Sequence, residues 1–115
     1  MDLTSMSCAP ARDDDTPLIR RDIMDLINEV PRWSVEEGRL VRTFVREDFA
    51  DCLAFVSELH ILAKNEGHYP DICIRERQYV EVSWYSYHCG GLTLNDFIMA
   101  AKLSAMEYSR KVERL

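Results

Sequence analysis

Residues 79–103 read YVEVSWYSYHCGGLTLNDFIMAAKL, and the fold turns on the change of period inside this stretch. Up to Tyr87 the run is rich in β-branched and aromatic residues, the composition of a strand. Alternation sets Glu81, Ser83, Tyr85 and Tyr87 on one side, and Val80, Val82, Trp84 and Ser86 on the other. Past Gly90-Gly91 the pattern turns helical, with Leu94, Phe97, Ile98, Ala101, Ala105, Tyr108 and Val112 down one face. Thr93 stands three residues ahead of Asp96, close to a capping box. The chain therefore closes with a strand that feeds an amphipathic helix.

Upstream, DICIRER supplies a hairpin partner for that strand. The segment REDFADCLAFVSELHILAKNEG has helical period, with Asp48 as N-cap, Phe49, Cys52, Leu53, Val56, Leu59 and Ala63 inward, and Gly67 as the stop. RWSVEEGRLVRTFVRED alternates on both sides of Glu37-Gly38, which predicts another hairpin. RRDIMDLINEV places Ile23, Leu26, Ile27 and Val30 at i, i+3, i+4, i+7 and ends at Pro31. The predicted order is α-β-β-α-β-β-α. Its four antiparallel strands, drawn from Trp33 to Val45 and from Ile72 to Tyr87, bury their apolar residues with three helices only if the helices gather on one face. The expected fold class is α+β, with a sheet face or edge left for self-association. Residues 1–19 hold Ser, Thr, Pro and the run Asp13-Asp14-Asp15, and are predicted to form a mobile acidic tail; residues 20–115 form a single domain.

At 115 residues, 47% hydrophobic and 30% charged, the chain has the composition of a globular domain, and no apolar run approaches the roughly 18 residues of a membrane span. Without a basic segment and apolar stretch at the start, a cytoplasmic location is expected. Cys8, Cys52, Cys73 and Cys89 form no CxxC pair, and His68, Cys73, His88 and Cys89 match no ligand spacing, so free thiols and no metal are expected. With 14 Lys+Arg against 20 Asp+Glu, the net charge of −6 disfavours nucleic acid and anionic membrane. Neutral small molecules or other proteins fit better as partners.

Acid and base candidates are few. His60 sits beside Leu59 in a helix and reads as a packed or rim residue. His68, in EGHYPD, stands where a helix gives way to a strand, which suits either presentation of a side chain or contact with the helix C-terminus.

The segments VPRWSVEE, GRLVRTFVREDFADCLAFVSELHILAKNEGHYPD and YVEVSWYSYHCGGLTLNDFIMAAKL together resemble the pterin-4a-carbinolamine dehydratases, from about Asp22 to Ser109. The resemblance implies a four-stranded antiparallel sheet backed by three helices, a homodimer or homotetramer, and no metal or organic cofactor. The implied reaction removes water from a 4a-hydroxytetrahydropterin, and needs one proton given to the leaving hydroxyl and another taken from a ring nitrogen. The family site is a His-His-Pro segment, a third histidine at the end of the last strand, and an aspartate opening the last helix. Carried over, His68, Pro70 and Asp96 match, whereas Tyr69 and Tyr87 stand where histidines are expected. His88 is displaced by one and reaches the site only if a bulge re-aims it. Trp84 and Tyr85 could stack on a flat pterin, or serve as core or oligomer contacts.

GHYPD with GGLTLNDFIMAAK looks most like a dehydratase-like branch tied to Rubisco assembly in chloroplasts and α-carboxysomes. That likeness implies a protein-assembly scaffold or chaperone, with Rubisco as partner, weak or no dehydratase activity, and a carboxysomal or plastid setting. The alternative is a working 4a-hydroxytetrahydropterin dehydratase.

Overall fold

Two turns set the sheet. Glu37 and Gly38 both adopt positive φ, 51° and 76°, the left-handed pair that suits a two-residue hairpin loop. They fold β1 (Ser34–Glu36) onto β2 (Arg39–Val45), with Glu36 opposite Arg39. Glu76 and Arg77, at φ 53° and 61°, lead through Gln78 from β3 (Asp71–Arg75) into β4 (Tyr79–Trp84). β2 pairs antiparallel with β4, so the sheet order is β1-β2-β4-β3 and the free edges belong to β1 and β3. This arrangement comes from a computed structural model that describes residues 1–113 in backbone and 1–111 in side chain.

The helices are α1 (Arg20–Leu26, continued by a 3-10 turn at Ile27–Glu29), α2 (Phe49–Glu66) and α3 (Leu94–Glu113). The α+β class and the α-β-β-α-β-β-α order are as the sequence predicts. Leu40, Phe44, Val80, Val82 and Trp84 point from the sheet into a core shared with Phe55, Leu59, Phe97, Ile98 and Leu103. The opposite face carries Thr43, Val45, Cys73 and Arg75, all exposed, with Val41 buried and Glu81 and Ser83 half-buried between them, and among the described residues no helix packs over it.

Four expectations are corrected. β4 ends at Trp84 rather than Tyr87: the chain leaves the sheet there, Ser86 makes an isolated bridge with Gly91, and Tyr87 sits in the turn between them. In α2 the buried stripe is Cys52, Phe55, Leu59 and Ala63, while Phe49 and Leu53 are 47% and 49% exposed. Both lie round the side of the helix from the sheet, where apolar spacing alone cannot tell a buried stripe from its flank. In α3, Met99, Ala100, Leu103 and Glu107 are buried, whereas Ala105 and Tyr108 are exposed; Val112 lies outside the residues whose side chains are described.

The last correction explains the wide buried arc of α3. Residues 1–19 lie along it instead of hanging free. Leu3 is buried in the core within a 3-10 turn, and Met6, Cys8 and Leu18 pack against that core. Lys102 Nζ donates to Thr4 O at 2.9 Å, Asn95 exchanges bonds of 3.0 and 2.8 Å with the Ala9 backbone, and Leu18 N–H meets Leu92 O at 2.8 Å. Gly91 lets the segment approach closely, since a Cβ would stand 2.7 Å from Pro17 Cβ and push it away. A segment this poor in apolar residues is ordered because a neighbouring helix satisfies its backbone groups.

Candidate functional site

The end of α2 aims His68. Gly67 takes the left-handed conformation at φ 71°, and Ala63 O accepts both Gly67 N–H (2.8 Å) and His68 N–H (3.2 Å). The chain then reverses beneath the N-terminus of α3. There the His68 ring stacks on Trp84, with centroids 5.9 Å apart and planes 15° from parallel. Its Nε2 lies 2.6 Å from Asp96 Oδ1.

Asp96 is fully buried, and a buried carboxylate must find donors. Its Oδ2 accepts Thr93 N–H at 2.9 Å and the Ser86 hydroxyl at 2.7 Å; Ser86 Oγ is also 2.8 Å from Thr93 Oγ1. Asp96 thus caps α3 and anchors His68 at once. With Nε2–H donated to the carboxylate, Nδ1 is the ring nitrogen left to exchange a proton. Trp84 Nε1 is buried next to this pair with no acceptor among the described residues. The arrangement can move one proton at His68, whose side chain is 14% exposed, while Trp84 and Asp96 are closed to solvent.

The other expected site residues lie elsewhere. Tyr69 is 55% exposed and turns toward His60, ring centroids 6.5 Å apart, while Pro70 leads directly into β3. Tyr85 and Tyr87 stand edge-to-face at 4.9 Å, with the Arg39 guanidinium 4.5 and 5.2 Å from their centroids. Arg39 Nη1 donates to Tyr87 Oη at 2.9 Å and to Asp71 Oδ2 at 3.0 Å, and the Tyr87 hydroxyl donates to the same carboxylate. The Tyr87 bond raises the Arg39 pKa further above its already high value. His88 is not re-aimed: its Nε2 lies 2.7 Å from Asp15 Oδ2. The Arg12 amide and His88 hold the Asp15 carboxyl below its usual range.

The structure therefore brings His68, Asp96 and Trp84 together and leaves Tyr69, Tyr85, Tyr87 and His88 outside. The His68–Asp96 pair lies on the Trp84 and Ser86 side, not the Tyr85 and Tyr87 side, because Asp96 belongs to the helix that covers the inner face. Sequence reading found the Thr93–Asp96 cap but missed Ser86 as an Asp96 partner; Ser86 shares an alternation face with Trp84, the signal that could have found it. It also missed Cys8, which had none. Cys8 N–H donates to Glu66 Oε1 at 2.9 Å, and burial, with Glu66 next in effect, pushes its thiol up to about 12.

With this geometry in view, the relatives are informative. The family described as Pterin 4 alpha carbinolamine dehydratase matches residues 16–106. The chain belongs to that family. A protein of Chlorobium limicola is 41% identical over 109 residues, covering 91% of this chain and 96% of its own. One of Aromatoleum aromaticum is 37% identical over 107 residues, covering 91% and 95%. Both carry pterin-4-alpha-carbinolamine dehydratase as a provisional name. Among solved structures, a transcriptional coactivator/pterin dehydratase from Brucella melitensis superposes with a TM-score of 0.71, covering 79% of this chain and 98% of that one at 20% identity, a likeness of fold.

Proposed function

We propose that this family member has an altered site and acts mainly as a protein-assembly scaffold, with weak or no dehydratase activity. The observation that carries the reading is the fate of Tyr69. Where the family pattern has a histidine, this tyrosine faces outward against His60 on α2. Phe49, Leu53, Val56 and His60 recur at i, i+4, i+7, i+11 on that helix, with Phe49 and Leu53 half exposed, so Tyr69 extends an uncovered apolar strip. A second copy of the chain or a client protein could cover it. Rubisco is the client that the likeness of GHYPD and GGLTLNDFIMAAK suggests, which would bring the protein to a carboxysome or plastid.

A second reading, a working dehydratase, draws on the 2.6 Å His68–Asp96 contact. Here His68 Nδ1 exchanges the proton, Asp96 holds the ring and buried Trp84 backs it. One positioned group must then do the work of several, and each such group is typically worth ~10²–10⁴ in rate.

Stopped-flow dehydration of freshly generated 4a-hydroxytetrahydropterin decides between them. The scaffold reading expects little acceleration in the wild type. Acceleration beyond ~10²-fold that vanishes in His68→Ala would overturn it. In parallel, Leu53→Glu should abolish the gain in assembled Rubisco on co-expression, while His68→Ala stays within a few-fold of wild type.

A further inference from the structure

The far end of α3 carries a second, unassigned cluster. An open groove of about 390 Å³ runs between the 3-10 turn after α1, strand β2 and the C-terminal half of α3. From Asp96 to Glu107 is about 16 Å along the helix, so the groove is well removed from His68. In a chain of net charge −6, it gathers Arg32, Arg42 and Lys111.

Arg42 is the central group. It lies half-buried on the inner side of β2, with its guanidinium 4.3 Å from the Phe44 ring centroid. Nη1 donates to Ser104 Oγ at 3.0 Å, and the same hydroxyl accepts Trp33 Nε1–H at 2.8 Å. Among the described residues that hydroxyl is its hydrogen-bond partner and no carboxylate reaches it. Arg32 makes no ion pair or hydrogen bond among the described residues. The groove's carboxylates are Glu29, which faces the N-terminal ammonium at 3.9 Å, and Glu107, which is engaged through both oxygens by Arg46 and lies 4.0 Å from the exposed Lys111 Nζ. Desolvation lowers the Arg42 pKa; Glu107 opposes this, and Arg32 and Arg46 add to it. A guanidinium held flat, with donors unspent and like charges beside it, is preorganised for a planar or tetrahedral oxyanion. Pro31 and Tyr108 supply apolar wall next to it.

We propose that this groove binds a small oxyanion, a phosphate or carboxylate group borne on an apolar or aromatic body. Arg42 forks onto the anion, Arg32 and Lys111 close on it, and the body rests against Pro31 and Tyr108.

The test is titration of the full chain with phenyl phosphate, followed by ¹⁵N–¹H spectra of backbone amides and arginine Nε–H at low ionic strength. Inorganic phosphate and benzyl alcohol serve as the anion-only and body-only controls. Saturable shifts should be confined to the groove, at Arg32, Arg42, Ser104, Ala105, Tyr108 and Lys111, with phenyl phosphate binding more tightly than either control. Arg32→Gln and Arg42→Gln should each weaken binding by about tenfold. Exposed Arg32 loses no bond to a described residue, so its variant keeps the test valid if Arg42→Gln folds poorly. Unsaturable shifts, shifts spread equally over Arg12, Arg39 and Arg75, or affinity unchanged in Arg32→Gln would each overturn the proposal. Equal affinity for phenyl phosphate and inorganic phosphate would remove the apolar body from it.

Discussion

Asp96 and Glu107 sit eleven residues apart on α3, near the same angular position, and both are buried, at 0% and 4% exposure. Their partners differ in kind. Glu107 is gripped by the Arg46 guanidinium, itself packed 4.2 Å from the Phe55 ring centroid. Asp96 is held by a backbone amide, a hydroxyl and one histidine. An arginine does not give up its proton at accessible pH, so the Glu107 end is a fixed ion pair. A histidine can, so the Asp96 end retains capacity for proton exchange. One helix face thus carries a structural carboxylate and a chemically usable one. The difference comes wholly from what neighbouring elements offer them.

The sharpest way to break the comparison is at Glu107. Glu107→Ala leaves Arg46 buried and unpaired and should cost about 3–5 kcal/mol in urea unfolding. The double replacement Arg46→Met with Glu107→Leu should recover most of that loss, since a buried pair is worth little over apolar packing. A loss below ~1 kcal/mol for the single variant would mean that the pair is not a structural lock.

Asp96→Asn should come next. It keeps the shape but exchanges charge-assisted bonds for neutral ones, and should cost about 1–3 kcal/mol. Any dehydration rate above background should fall with it. If Asp96→Asn proves costlier than Glu107→Ala, the two ends have been ranked in the wrong order.

The smallest effect concerns the segment over the Asp96 end, tethered through Asp15 to His88. Asp15 has its pKa depressed below 3.8, chiefly by the Arg12 amide and then by His88. A depressed acid contributes stability that is fully present above its unfolded value and is lost as pH falls through the folded one. Amide protection at Ala9 and Leu18 should therefore be unchanged down to about pH 4 and weaken below it. Asp15→Asn should show the weakened protection already at pH 6. Protection that is independent of both would show that the tether is carried by Leu3 and Asn95 instead.

Much of this molecule is legible in its residues. Element order follows from period changes, Glu37-Gly38 marks a hairpin, Gly67 stops α2, and the spacing of Thr93 and Asp96 caps α3. These are local properties, set by backbone sterics and by groups within a few residues, and a sequence carries them directly. Asp96 was visible as a cap, and His68 as a residue in a stiff loop. Their meeting depends on the reversal at Gly67 together with the crossing of α3, and neither segment alone contains it.

Tyr87, His88 and residues 1–19 show where sequence reading ends. Alternation placed Tyr87 on a strand, but β4 stops at Trp84, and a side chain beyond the last ladder bond is aimed by the turn, not by parity. His88 found its partner in Asp15, distant in sequence, and Leu3 its burial against α3. The sequence by itself determined which segments become strands and helices and which groups could move a proton. Only the tertiary structure decided which of those groups share a site, because partners far apart in the chain are selected by packing and burial, which no local pattern records.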